Sequence, residues 1–124
     1  MKHEVFEQIV KRQMDLCETV LLNKAEEYAT EDRLHNFKIA AELSGISLKQ
    51  ALGGMMAKHT VSIYDMCWSE DEFSPEKWDE KITDHLNYLF ILKAVLVEES
   101  QEPKKTTLKS STHPDVNVDV LSEF

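Results

Sequence analysis

The chain has few residues that interrupt helices: of 124 residues only 3 are Gly and 3 are Pro. Pro103 and Pro114 lie near the C-terminal end, so the first hundred residues are almost free of breakers. That scarcity argues against a fold of many short strands and favours long helices. Cysteine is equally sparse. Cys17 and Cys67 are too few and too far apart for a metal motif of the CxxC type, and both fall in apolar helical patterns. They read as small core hydrophobes of a reducing compartment. No run reaches the roughly 18 uncharged apolar residues of a membrane span. No signal sequence is evident either, because Met1-Lys2-His3-Glu4 leads straight into a charged amphipathic pattern. The expected location is the cytoplasm.

Positive charge is in deficit, with 14 Lys and Arg against 23 Asp and Glu and a net charge of −9. A chain of this balance does not bind a nucleic-acid backbone unspecifically, which needs clustered Lys and Arg. Free nucleotides stay open, because phosphate held through a metal ion requires local carboxylates. Hydrophobic content of 42% and 30% charged residues fit one soluble globular domain.

Apolar residues at steps of three and four mark a first helix through Val5, Phe6, Ile9, Val10, Leu16, Cys17, Val20 and Leu21, continuing to about Tyr28. A polar break at Thr30-Glu31-Asp32-Arg33 precedes a short helix over Leu34 to Leu43. Gly45 suits a left-handed C-terminal cap, and Ser47 with Gln50 forms a capping box that starts a third helix. Gly53-Gly54 inside that helix points to close helix packing or to room for a ligand. Ser74 and Pro75 mark the start of a fourth helix, which runs to Val97. Residues 1–98 thus form an all-α bundle of three long helices and one short helix. Residues 99–124 read as a flexible extension. Its end, Val116 to Leu121, alternates apolar and polar, so it is either mobile or adds as a strand to a protein partner.

The fourth helix holds the residues with most chemical promise. Glu80 and Asp84 lie one turn apart, and their stripe continues through Asn87 to Ile91, opposite Ile82, Leu86 and Leu89. Apolar residues on both sides imply burial on both sides. Carboxylates in such a stripe either hold a hard cation such as Mg²⁺ or sit on a solvated face. On helix three, Lys58, Ser62 and Asp65 form a second polar stripe, reading as a phosphate contact or as a solvated edge. His59 reads as a locally bonded core histidine, and His85 lacks partners at zinc spacing.

Lys24-Ala25-Glu26-Glu27-Tyr28, followed by Leu34-His35-Asn36-Phe37, resembles the K-x-x-D-Y … L-x-N-F opening of phage nucleotide-modification-associated proteins. Those proteins belong to the MazG-like, all-helical nucleotide pyrophosphohydrolase group. Gly45-Ile46-Ser47 with Met56-Ala57-Lys58 is similar to the family's G-I-S … M-x-D-K region, and Asp79 to Tyr88 looks like its D-T-L-x-D-L-x-x-Y helix. The resemblance spans roughly Leu21 to Lys93. It implies a Mg²⁺-dependent enzyme that converts a deoxynucleoside or modified nucleoside triphosphate to the monophosphate and pyrophosphate, in a phage or prophage setting. By the same resemblance Glu27 and Asp84 are catalytic, and Glu27, Glu80 and Asp84 are metal ligands. Lys24, Asn36, Lys58 and Asn87 are the implied substrate contacts, and a homo-oligomer is the implied assembly. The chain departs from the family pattern at three places: Thr30 stands at the third acid of E-E-x-x-E, Glu80 precedes Asp84 by four positions rather than three, and Ala57 stands where relatives carry Asp. Nucleotide binding without turnover tolerates such departures better than hydrolysis does. A third reading makes the bundle a scaffold for protein interaction or inhibition.

Overall fold

The computed structural model describes residues 1–23 and 31–101, and the regular structure among them is entirely helical. Helix α1 spans His3–Asn23, α2 His35–Ser44, α3 Leu48–Trp68 and α4 Pro75–Gln101, with 21, 10, 21 and 27 residues. The expected continuation of α1 to Tyr28 and the extension after residue 101 lie outside the described residues. No described helix is long and apolar enough to cross a membrane.

Local sequence sets most helix ends. Gly45 adopts φ 68°, and Ile46 N–H donates to Ala41 O while Gly45 N–H donates to Glu42 O, closing α2 in a Schellman motif. Two residues later Ser47 and Gln50 form the predicted capping box: Gln50 N–H donates to Ser47 Oγ at 3.1 Å and Ser47 N–H to Gln50 Oε1 at 3.0 Å. At the start of α4, Ser74 Oγ accepts the Lys77 N–H at 3.0 Å. Phe73 packs edge-on against Trp78 with ring centres 6.0 Å apart, a hydrophobic staple across that cap.

Helix α4 organises the bundle, with α1 and α3 both packed against it. Helix α3 runs antiparallel to it, since Lys49 pairs with Glu99 at one end and Thr60 meets His85 further along. Helix α1 runs parallel to it: Arg12 pairs with Asp79, Gln13 Nε2 donates to Thr83 Oγ1 at 2.8 Å, and Val20 and Leu21 come beside Asn87 and Ile91. Leu34, Leu52 and Val95 are the buried centre, enclosed by Phe37, Leu48, Tyr88, Ile91 and Leu92.

Four features differ from the sequence expectation. On α4 the buried line is Thr83, Asn87 and Val95, whereas Ile82 and Leu89 are exposed, so the helix is not buried on both sides. Cys17 is buried but Cys67 is exposed, and both are free thiols. Among the described residues a Cβ built at Gly53 or Gly54 would meet nothing within 4 Å, so no described helix packs closely enough to require the pair. Helix α4 continues to Gln101, past the boundary placed at residue 98. Acids at a helix C-terminus oppose the helix dipole, and here lysines from other helices offset them. Lys38 Nζ lies 2.7 Å from Glu98 and 2.7 Å from Asp32, and Lys49 Nζ lies 3.4 Å from Glu99.

Asp32 also accepts the Leu34 N–H at 2.9 Å, so one carboxylate orders the entry to α2 and holds Lys38. The Lys38 ammonium and then the Leu34 amide hold the Asp32 carboxyl below its ordinary 3.8. Asp32 and then Glu98 raise Lys38 above its ordinary 10.5. The depressed carboxyl stabilises the fold above pH 3.8 and loses that contribution as pH falls through its lower folded value. The raised ammonium stabilises it below pH 10.5, with loss as pH rises through its higher folded value. Lys38→Met is therefore expected to lower the thermal midpoint near neutrality and to flatten its decline in acid. The difference should shrink near 1 M salt, where the Debye length is about 3 Å. Melting curves across pH and salt check this, and superimposable curves for the two proteins would refute it. Gly54→Ala meets no steric obstacle, so urea denaturation should show a gain of roughly 1 kcal/mol from helix propensity.

Candidate functional site

Asp84 and Asn87 are three residues apart on α4 and project from one face. Both line a cleft of about 110 Å³ at the seam between α1 and α4. Val20 and Leu21 of α1 form one wall, Phe37 of α2 and Ile91 of α4 another, and Arg33 enters from the segment before α2. Tyr88 completes the lining and is held on two sides. Phe37 meets it edge-on at 6.4 Å, and the His59 ring lies 4.7 Å away at a tilt of 34°. One turn before Asn87, the Gln13–Thr83 hydrogen bond fixes the register of α1 on α4.

The cleft sets one carboxylate, one buried amide oxygen and one guanidinium beside each other. Asp84 is half-buried, and Asn87 is 6% exposed. Asn87 Oδ1 is buried and has no hydrogen-bond partner among the described residues. An acceptor left in that state costs about 1–3 kcal/mol, so a donor or cation placed there gains that much in return. The carboxylate of Asp84 and the amide oxygen of Asn87 are the oxygen donors that a hard divalent cation takes. Arg33 Nη2 donates to Leu21 O, in the last turn of α1, at 3.3 Å. Its guanidinium thereby reaches the cleft from the side of the α1 carbonyl end, which favours cations. Liquid water occupies about 30 Å³ per molecule, so the cleft has room for a hydrated ion or one phosphate group. A whole nucleotide needs a pocket nearer 300 Å³ or more.

Of the residues expected from sequence, the structure brings Asp84 and Asn87 together. Glu80 is exposed and is not part of the cleft lining. Asn36 on α2 and Lys58 on α3 are likewise exposed and outside it. Lys24 and Glu27 lie outside the described residues. Among the described residues no three His, Cys, Asp or Glu side chains gather as a metal site. His85 Nε2 lies 2.8 Å from Thr60 Oγ1, away from the cleft. Arg33 was missed because it sits in a segment that reads only as a polar break. Its signal is positional: a guanidinium shortly after a helix C-terminus has carbonyls to cap.

Asn87→Leu keeps the volume and removes the orphaned acceptor. In metal-free buffer its thermal midpoint is expected to rise above that of the parent, as read by circular dichroism. A lower midpoint would mean that Oδ1 already has a partner and would remove the cleft's main polar feature.

No protein-family model, curated protein or solved structure matches this chain.

Proposed function

We propose that this chain is a MazG-like, Mg²⁺-dependent nucleotide pyrophosphohydrolase of phage or prophage origin, acting on a deoxynucleoside or modified nucleoside triphosphate in the bacterial cytoplasm. The observation that carries the reading is the meeting of Asp84, the unpartnered Asn87 Oδ1 and Arg33 in one cleft. Asp84 and Asn87 would hold the ion, with Glu27 as the third oxygen ligand that the family resemblance implies. When bound, Mg²⁺ neutralises phosphate charge and makes water a stronger nucleophile.

The chain's own groups do the remaining work. Arg33, anchored through Nη2 to Leu21 O, would bring positive charge to the cleft and oppose the charge that builds on a phosphoryl group during transfer. Val20, Leu21, Phe37 and Ile91 keep bulk water from the back of the seam, which strengthens each polar contact inside. The small volume admits phosphate but leaves sugar and base on the outer rim. Base selection therefore lies with residues beyond the cleft.

A second reading is binding of a nucleotide without turnover, which tolerates the chain's departures from the family pattern at Thr30, Glu80 and Ala57 better than hydrolysis does. One assay separates the two. Incubation with Mg²⁺ and a panel of nucleoside triphosphates should release pyrophosphate. Asp84→Asn should reduce kcat/KM by about 100-fold or more with helix content unchanged, and Arg33→Ala should chiefly raise KM. Glu80→Gln, altered outside the cleft, should stay within about twofold of the parent. Full activity in Asp84→Asn sinks the assignment. Saturable binding with the nucleotide recovered intact establishes the second reading instead.

A further inference from the structure

Helix α3 contributes no residue to the lining of the cleft, yet one of its rings acts on that lining. His59 is half-buried and shares a face of α3 with Ile63 and Met66, a position at which an aliphatic side chain would fill the space. Its imidazole lies 4.7 Å from the Tyr88 ring, centre to centre, at a tilt of 34°. Phe37 meets Tyr88 edge-on at 6.4 Å. Rings from α3, α4 and α2 thus stand in series, and the two beyond His59 both line the cleft. The next residue pins this register. Thr60 Oγ1 donates its one proton to Met56 O at 3.3 Å, so toward His85 Nε2, 2.8 Å away, it is an acceptor. His85 precedes Tyr88 by three residues, which holds α3 against α4 beside the stack.

We propose that His59 is a positioning residue for the cleft: by stacking on Tyr88 it holds that ring as the wall beside Asp84. Tyr88 follows Asp84 by one turn on the same face. Long side chains on a helix lean back over the preceding turn, so the Tyr88 ring covers the turn that carries Asp84. A helical tyrosine has two accessible χ1 wells, and the flanking rings select between them. The selection depends on a ring face, because aromatic pairs attract through their quadrupoles and an aliphatic side chain of similar volume does not. A Tyr88 ring turned out of the wall admits water beside Asp84 and shifts its carboxylate from the reacting geometry, which lowers kcat. Arg33 still meets the phosphate, so KM changes little. The effect on turnover rests on the pyrophosphohydrolase reading, whereas the hold on Tyr88 does not.

Three variants of the full chain test this: His59→Ala, His59→Leu and His59→Phe. The first readout needs no activity: the nuclear Overhauser effect between the Tyr88 and Phe37 rings in the ligand-free protein. It should be present in the parent and in His59→Phe, and much weaker in His59→Ala and His59→Leu. The second is pyrophosphate release with Mg²⁺ and a nucleoside triphosphate. His59→Ala and His59→Leu should lose about tenfold in kcat with KM within about twofold of the parent, and His59→Phe should recover kcat. Leucine refills the space and returns the thermal midpoint toward the parent's, so a side chain that only fills volume would be rescued by Leu as well as by Phe. An undiminished Tyr88–Phe37 effect in His59→Ala overturns the proposal. So does His59→Leu with the parent's kcat. A parent that releases no pyrophosphate overturns the proposed activity instead, and the ring contacts of the three variants then decide alone whether His59 holds Tyr88.

Discussion

Two helices of this bundle compete for one side of α4, and the architecture follows from how that side reconciles them. The line Thr83, Asn87, Ile91 and Val95 lies where α1 and α3 converge, yet its first half is polar. Buried polar groups need partners. Thr83 has one in Gln13, which fixes α1 in register. Asn87 Oδ1 has none among the described residues, and the cleft opens beside it. Val95, at the far end, is fully buried and joins Leu34 and Leu52 in the hydrophobic centre. A single helix face thus passes from satisfied polar contact, through an unsatisfied one, to dry core within four turns.

The ends of the helices were legible because their causes are local. Ser47 with Gln50, Gly45, and Ser74 with Pro75 each act within a few residues, and each does in the structure what its spacing suggests. The convergence of Asp84 and Asn87 was legible for the same reason, since their three-residue separation fixes a common face. What escaped notice depended on distant partners. Periodicity shows that α4 has apolar residues on two sides. It does not show that α1 and α3 approach the side of Asn87 and leave Ile82 and Leu89 outside. The polar composition after Val97 gave no hint of further helix, because Lys38 and Lys49 hold Glu98 and Glu99 from other elements. Arg33 and Cys67 were misjudged from sequence surroundings that the folded chain rearranges.

Lys38 illustrates how few contacts tie the short helix to the bundle's far end. Its ammonium bridges a carboxylate before α2 and one near the end of α4, so a single side chain links the entry of one helix to the exit of another. Together with the Phe37–Tyr88 contact it places α2 over the same helix that carries Asp84 and Asn87.

The parallel pairing of α1 with α4 has a kinetic consequence. Helices α2, α3 and α4 follow one another through short connections and can meet early. The Arg12–Asp79 and Gln13–Thr83 contacts, by contrast, close loops of 67 and 70 residues. Docking α1 therefore costs more loop-closure entropy than pairing the three consecutive helices does. The cleft has one wall on each side of that seam, so it exists only while α1 is docked. Anything that occupies it draws the detachment equilibrium toward the closed bundle by mass action.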